Sequence, residues 1–452
     1  MSQASLPNLP EPEPMEAPAR APTFPAAARL LRAVRNQVEW VERDLDSVLG
    51  QEHPARAIWD LLDGMDLDAF YADIKAVTDR PGHPATDPQV LLALWVYATV
   101  DGVGRARQLD RLCREHDAYR WLRGGVPVNY HTLSDFRVAH QAALDGLLTQ
   151  IVGALLYAGA VTLEQVAQDG MRVRASAGAA SFRRKETLEG CREQAKGQVE
   201  RLAREREHPD PNVSKRQRAA RERAARERLE RVQQALAALP EAQAAKQRQQ
   251  QTLATGKREK VTPARVSTTD PQARVMKMPD GGYRPAYNVE LATTPAPGKA
   301  YASIIGVAVT NEGTDAREAA PLEEQVHQRT GQHPGAYLVD GGFATRETIT
   351  TLTQRDITVY APVRLPRNKP EAERYQPRAG DSPEVAQWRQ RMATEEAKQI
   401  YQGRGSLAEW ANAQVRNMGL QQFTVRGIPK VTAVAVLMVV TQNLLRWLAL
   451  GT

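Results

Sequence analysis

The sequence predicts an α/β protein in which a mixed sheet carries a long helical insertion and follows an all-helical N-terminal domain. Apolar residues recur at helical spacing from about Leu30 to Gly159, whereas short apolar strands alternate with helices from Thr162 onward. A charged helical stretch, Arg183–Lys260, separates the first of these strands from the others. The chain has 452 residues, of which 42% are hydrophobic, and is therefore long enough for two or three domains.

The first part of the chain divides into an arm and a helical domain. Residues 1–28 are rich in Pro, Ala and Glu and lack the apolar run of a signal peptide, so they predict a disordered arm. The helical domain is expected over residues 29–160. Within it Asp87 is a predicted N-cap, and His131–Arg137 (HTLSDFR) is either a capped helix start or a segment that contacts DNA phosphates.

The second part, residues 161–452, predicts the sheet domain, interrupted by the insertion at 183–260. Strands are predicted at Thr162–Gln168, Pro285–Thr293, Ala302–Thr310, Ala336–Val339 and Ile357–Pro362, and helices at Ala316–Arg329 and Thr345–Gln354. Gly281 and Gly282 predict a hairpin turn before the second strand. This order predicts a sheet whose later half is parallel, with right-handed crossovers. Residues 363–395 are polar and predict an exposed connection.

The net charge is concentrated in the insertion. The chain carries +7 at neutral pH, with 60 basic and 53 acidic residues, whereas Arg183–Lys260 alone holds 21 basic and 12 acidic residues, a net charge of +9. Pro209–Asn212 should separate its two helices, which predicts a helical hairpin. Its Arg-rich face could follow a DNA backbone, or it could be a solvated face with i,i+4 ion pairs.

Cysteine content and hydropathy exclude several classes of protein. Cys113 and Cys191 are the only cysteines and lie far apart in sequence, so neither a disulfide scaffold nor a thiolate zinc site is supported, and a reducing cytoplasm fits. The most apolar run, Val431–Leu450, is interrupted by polar residues. It predicts a packed helix rather than a membrane span.

Three carboxylates are the candidate metal ligands of this sequence. Asp340 directly follows the predicted strand YLV and precedes two glycines, and Asp169 also follows a predicted strand. Glu409 comes after Tyr401 and Arg404 in YQGRGSLAEW. Hard oxygen ligands suit magnesium, and two such ions can hold the attacking and leaving oxygens of a phosphodiester. The alternative is that each Asp only begins a turn.

Glu409 has an alternative explanation of its own. Ser406 and Glu409 have the S-x-x-E form of a helix capping box, which predicts a helix over Leu407–Met418. Glu409, Asn412 and Arg416 would then share its exposed face, because seven residues make about two turns.

The order of these motifs resembles the DDE transposases of bacterial insertion sequences, most closely the group numbered eleven-eighty-two. The resemblance spans roughly Leu61 to Leu448. It is carried by HTLSDFR, QDGMRVRAS, FRRKETLE, DPQARVMKMPDGGYRPAYNVE, VTNEGTD, YLVDGGF and a terminal Y-x-x-R…E…R block followed by RGIPKV.

The resemblance implies a ribonuclease-H-like fold. It implies that Asp169, Asp340 and Glu409 form a catalytic triad that holds two Mg²⁺ ions, for which Mn²⁺ could substitute. Tyr401, Arg404 and Arg416 would hold DNA phosphates. The sequence departs from the commoner pattern in two places: Arg404 precedes Glu409 by five positions instead of four, which is compatible with a turn before the helix, and Arg416 stands where Lys is usual.

The function that the resemblance implies is that of a DNA transposase. It would bind DNA through the helical domain, residues 29–160, and recognise terminal inverted repeats. It would cut at the ends of its element and join the freed 3′-hydroxyls to target DNA. The protein would act as a homodimer in the DNA complex, in the cytoplasm at the nucleoid and without a membrane. The alternatives are a non-catalytic DNA-binding protein derived from such an enzyme and a metal-dependent nuclease of the same fold that does not rejoin ends.

Overall fold

Seven helices precede the first strand in the described part of the chain. The computed structural model describes residues 44–76, 84–207, 213–251, 262–297, 302–365 and 370–451, so the predicted arm at 1–28 and the predicted break at Pro209–Asn212 lie outside it. The helices are α1 (Pro54–Asp63), α2 (Asp68–Tyr71), α3 (Pro88–Val100), α4 (Ala106–Glu115), α5 (Asp117–Leu122), α6 (Tyr130–Ala139) and α7 (Gln141–Tyr157). The predicted cap of α3 is confirmed, since the Asp87 side chain accepts a hydrogen bond from the Gln89 N–H.

The sheet has six strands: β1 (Gln165–Arg174), β4 (Arg274–Lys277), β5 (Tyr283–Pro295), β6 (Ala302–Thr310), β7 (Ala336–Leu338) and β8 (Thr358–Tyr360). β5 pairs antiparallel with β1 on one side and with β4 and β6 on the other. β7 pairs parallel with β1, and β8 pairs parallel with β7. The predicted parallel later half is therefore confirmed, as is the hairpin turn, where Gly281 has a φ of 81°.

β1 is longer than the sequence suggested. It continues through Asp169 and Gly170 to Arg174, so the prediction that the strand ends before Asp169 is wrong. Gly170 is not a turn residue. A Cβ atom there would lie 2.5 Å from Oε1 of Glu290 on the neighbouring strand, so the close side-chain packing of β5 explains the glycine.

The insertion forms a helical hairpin. After the short β2 (Phe182–Arg183), α8 (Lys185–Arg204) packs against α9 (Lys215–Ala237), and α10 (Leu239–Gln251) and β3 (Val266–Ser267) follow. A small apolar cluster that includes Leu188, Ala235 and Val266 joins the start of α8 and the end of α9 to β3. The hairpin is thus anchored at its base, while the basic residues at the end of α8 and the start of α9 lie at its other end.

Five α-helices complete the described chain: α11 (Ala319–Thr330), α12 (Arg346–Thr353), α13 (Pro383–Arg391), α14 (Glu395–Asn417) and α15 (Ile428–Gly451). α13 lies in the region predicted as an exposed connection, and Trp388 within it is buried, so that prediction is wrong. The reason is that Val385 and Trp388 are one helical turn apart and cover the core together.

α14 corrects a third prediction, that of a helix starting at Ser406. Its N-cap is Thr394, whose side chain accepts from the Ala397 N–H, and the helix continues unbroken past Ser406. The Ser406 hydroxyl donates to the Gly403 carbonyl inside the helix, so it is no cap, and Arg404 lies on the helix and not in a turn before it.

α15 is the central buried helix. By length and composition it could cross a membrane, but 72% of its most apolar window is buried inside the protein. It packs against α7, α6 and α3 of the helical part and against β6 of the sheet. Helices and sheet therefore share one hydrophobic core within the compact unit Leu45–Thr452, whereas the predicted boundary between domains near residue 160 stays a prediction.

Candidate active site

Two parallel strands bring Asp169 and Asp340 together. In the pairing of β1 with β7, Ala167 lies opposite Leu338. Asp169 comes two residues after Ala167, and Asp340 comes two residues after Leu338. The Asp340 carboxylate accepts a hydrogen bond from the Gly342 N–H at 2.6 Å, which fixes it where the chain leaves β7. Asp169 lies just past the parallel pairing of β1 with β7, within β1, and Asp340 lies just past the end of β7. The carboxyl ends of parallel strands are where α/β proteins gather functional groups.

The Asp169 carboxyl is half-buried and electrostatically perturbed. Burial raises its pKa, the Arg404 guanidinium lowers it, and the negative charges of Asp340 and Asp315 raise it. Three acidic side chains are thus close enough to influence one another. Such mutual repulsion favours the binding of a cation.

Helix α14 holds both oxygens of Asp169. Arg404 Nη2 donates to Oδ1 at 2.9 Å, and Asn412 Nδ2 donates to Oδ2, also at 2.9 Å. Arg404 also donates to the Gln168 carbonyl at 3.3 Å. Asn412 is buried and its Oδ1 has no hydrogen-bond partner among the described residues. The two donors orient the Asp169 carboxylate toward α14.

Tyr401 completes the group on this face of α14. Burial is the main cause that raises the pKa of its hydroxyl; nearby Arg404 lowers it, and Asp340 and Asp169 raise it. The predicted residues Tyr401 and Arg404 therefore both lie beside the carboxylate pair. Because Tyr401, Arg404 and Asn412 are separated by three and eight residues, all three point to the same side of the helix.

Glu409 and Arg416 are not brought to this pair. Both side chains are exposed on the flank of α14, and neither forms a hydrogen bond or ion pair within the part of the chain that the structure describes. In those same ranges no three His, Cys, Asp or Glu side chains are grouped closely enough to hold a metal. The triad of Asp169, Asp340 and Glu409 stays a prediction, of which the structure brings two members together.

A second polar cluster adjoins the site and includes Asp315. Arg172 forms an ion pair with Asp315 at 3.0 Å, and Asn288 donates to both Asp315 and Glu290. Gln168 donates to Glu290 at 2.9 Å. Burial raises the pKa of Glu290 to about 8, with the nearby acidic groups adding to the rise. Asp315 joins this cluster to the site, since a Cβ atom on Gly342 would lie 3.6 Å from its Oδ2 and 2.8 Å from Oδ1 of Asp340.

Sequence reasoning missed Asn412 and the second cluster. The capping-box pattern of Ser406 and Glu409 predicts Asn412 on the exposed face of a helix that starts there, whereas in α14 it is buried. Its spacing of eleven residues from Tyr401, about three turns, was the signal that places it on the buried face. The contact between Arg172 and Asp315 depends on which strands pair, and no local sequence pattern predicts that pairing.

Comparison with known families matches two separate segments of the chain. Residues 43–139, which include α1 to α6, match the family described as Transposase domain (DUF772), and residues 368–448, which include α14, match the family described as Transposase DDE domain. The second match covers Tyr401, Arg404, Glu409 and Arg416 but not Asp169 or Asp340. Neither the curated proteins nor the solved structures contain a match.

Proposed function

Because the chain belongs to the insertion-sequence DDE transposases, as its two transposase domains show, we propose that it cuts DNA at the ends of its element and joins the freed 3′-hydroxyls to target DNA. The observation that carries the proposal is the pair Asp169 and Asp340 on adjacent parallel strands, with Tyr401 and Arg404 beside it. The pair provides hard oxygen ligands, and the two α14 side chains provide phosphate donors.

The strand order supports a ribonuclease-H-like catalytic domain. β1, β5 and β6 are antiparallel and follow one another along the chain, apart from the hairpin insertion and the short β4. β7 then pairs in parallel with β1, and β8 pairs in parallel with β7. This arrangement puts the first and fourth of these strands side by side. It is the placement that a two-carboxylate metal site requires.

The residues of the pair fit a divalent cation. Asp169 and Asp340 are near enough to perturb each other, and the positive guanidinium of Arg404 already offsets the charge of Asp169. Asp169 and Asp340 would hold Mg²⁺ or Mn²⁺, with Glu409 as the proposed third ligand. Bound there, two ions would supply an activated water or 3′-hydroxyl and stabilise the leaving oxygen.

The other residues of the chain position DNA in this proposal. Arg404 and Tyr401 face the carboxylates and would contact the phosphate nearest the reacting bond, while Arg416, two turns beyond Glu409, would contact a phosphate farther along the strand. The described residues 201–207 and 213–226, at the far end of the hairpin, contain nine basic and three acidic residues, which favours a second contact with the DNA backbone.

Two copies of the chain would hold two element ends, so we propose a homodimer in the DNA complex, in the cytoplasm at the nucleoid. The terminal inverted repeat would be the specific ligand of the helical part, residues 29–160.

Incubation with end DNA and Mg²⁺ tests the proposal. The wild-type chain should nick an end fragment of its own element and then join it to target DNA. Asp169→Asn and Asp340→Asn should lower the rate by at least about 1,000-fold. Glu396 is an exposed carboxylate on α14, so Glu396→Gln should retain the wild-type rate. Cleavage without joining would instead indicate a nuclease, and binding without cleavage would indicate a DNA-binding protein. Full activity of Asp340→Asn would contradict the assignment.

A further inference from the structure

A cavity on the far side of α14's C-terminus has the chemistry of an anion site. It has a volume of about 190 Å³ and lies between α3, the loop before α4, the turn at residues 418–424 and α15. Its lining contains two arginines, Arg105 and Arg137, and no Asp or Glu. The floor is apolar, with Trp95, Phe423 and Met438 among its residues.

Arg137 is a buried cation without a carboxylate partner in the described chain. Its exposed fraction is 5%, and its guanidinium lies over the Trp95 ring at 4.1 Å from the centroid. Nη1 donates to the Gly104 carbonyl at 2.8 Å and Nη2 donates to the Thr424 hydroxyl at 3.4 Å, whereas Nε has no partner among the described residues. Burial lowers the pKa of Arg137 to about 10, and no anionic group acts against that change.

Buried charges in proteins are normally paired, because removing an ion from water costs several kcal/mol. The neutral acceptors Gly104 and Thr424 satisfy two N–H groups of Arg137 without neutralising its charge. An anion in the adjoining cavity would do both. Arg137 is thus a buried cation with a free Nε and no carboxylate partner among the described residues, and it lines a space where a counter-ion can bind.

The start of α4 adds a second, independent attraction for an anion. α4 is ten residues long, and its N-cap, Arg105, provides no side-chain hydrogen bond to the first turn. The first N–H groups of a helix have no partner within it and carry partial positive charge. Gly104, Arg105 and Gln108 line the cavity, so this helix start lies at its mouth.

We propose that this cavity binds a phosphate group, held by Arg137 at its wall and by Arg105 and the start of α4 at its mouth. The volume accepts a single phosphate and not a whole nucleotide. The group could be inorganic phosphate or one phosphate of a nucleic-acid backbone, which share this chemistry. Since the turn 418–424 directly follows α14, a bound phosphate would connect the helical part to the helix that carries Arg404.

Binding of inorganic phosphate to the full chain tests the site without any reaction. Calorimetry at constant ionic strength should give saturable binding to the wild type, about tenfold weaker binding to Arg105→Gln, and no measurable binding to Arg137→Gln. Arg107→Gln is the matched control: Arg107 is also exposed on α4 but lies over the Tyr130 ring, outside the cavity, so this variant should bind as the wild type does.

A parallel titration with a random-sequence DNA duplex distinguishes the two sources. If a backbone phosphate is the ligand, Arg105→Gln should weaken DNA binding and inorganic phosphate should compete; if free phosphate is the ligand, only phosphate binding should change. The proposal is overturned if the wild type does not bind phosphate, or if Arg105→Gln binds it as tightly as Arg107→Gln. Arg105 is exposed, so its variant reports on the site even if Arg137→Gln fails to fold.

Discussion

Replacement of Arg404 by Gln should raise the affinity of the protein for a divalent cation, in the absence of DNA, by about 10- to 100-fold. In the structure the guanidinium holds Asp169 Oδ1 at 2.9 Å, with the two side chains only 13% and 26% exposed. A cation that binds Asp169 must compete with this contact and is repelled by the same positive charge.

The magnitude follows from the strength of that contact. A hydrogen bond to a charged group contributes about 1.5–3 kcal/mol, and solvent screens this pair little because it is mostly buried. Each 1.4 kcal/mol corresponds to a tenfold change in a binding constant, which gives about 10- to 100-fold. Gln keeps a polar side chain but is uncharged and too short to repeat the Nη2 contact with Asp169.

The assay is titration of Mn²⁺ monitored by the loss of the free-ion electron paramagnetic resonance signal. Arg416→Gln is the control, because Arg416 lies on the same helix and forms no ion pair within the described residues, and its affinity should equal that of the wild type. Asp169→Asn should abolish the binding in either background. Equal or weaker Mn²⁺ binding by Arg404→Gln would refute the idea that Arg404 occupies the cation's place.

Four further substitutions test the structure around the site and along α14. Gly170→Ala should lower the free energy of unfolding by about 1–3 kcal/mol, because the new methyl group would meet Oε1 of buried Glu290 at 2.5 Å; an unchanged midpoint in urea would contradict this. Glu290→Gln should flatten the dependence of stability on pH between about 5 and 8. The pKa of Glu290 is raised to about 8 in the folded state, whereas a Glu in the unfolded state has a pKa of about 4.3, so only the folded state holds the proton in this window. The stability of the wild type therefore falls as pH rises from about 5 to 8. Equal slopes for the two proteins would refute the assignment. Thr394→Ala should lower the free energy of unfolding by about 1 kcal/mol, because it removes the N-cap of α14. Ser406→Ala should change it by less than about 0.5 kcal/mol. A larger loss of thermal stability for Ser406→Ala than for Thr394→Ala would instead indicate that Ser406 is the cap.

The parts that the sequence predicted well have strong local patterns. β6 has the predicted bounds, Ala302–Thr310, because its continuous apolar run has clear polar ends. The position of Asp340 was also predictable, since a short buried strand followed by two glycines is typical of the end of a parallel strand. In both cases the residues that decide the structure are neighbours in sequence.

α14 shows why a local pattern can mislead. Gly403 and Gly405 each cost about 1 kcal/mol in a helix, and Ser406 with Glu409 has the form of a cap, so local propensity favours a new helix there. Burial of Ala397, Ala408 and Val415 on one face outweighs that cost and keeps a single helix. The prediction that the strand ends at Asp169 is wrong for a similar reason, because Gly170 is required by the close side chain of Glu290 on another strand and not by a turn.

The location of bound metal tests the central claim most directly. Crystals of the protein with end DNA and Mn²⁺, measured at the manganese absorption edge, should give anomalous density between the carboxylates of Asp169 and Asp340, and this density should vanish in Asp340→Asn. Density elsewhere, with none at the pair, would contradict the account.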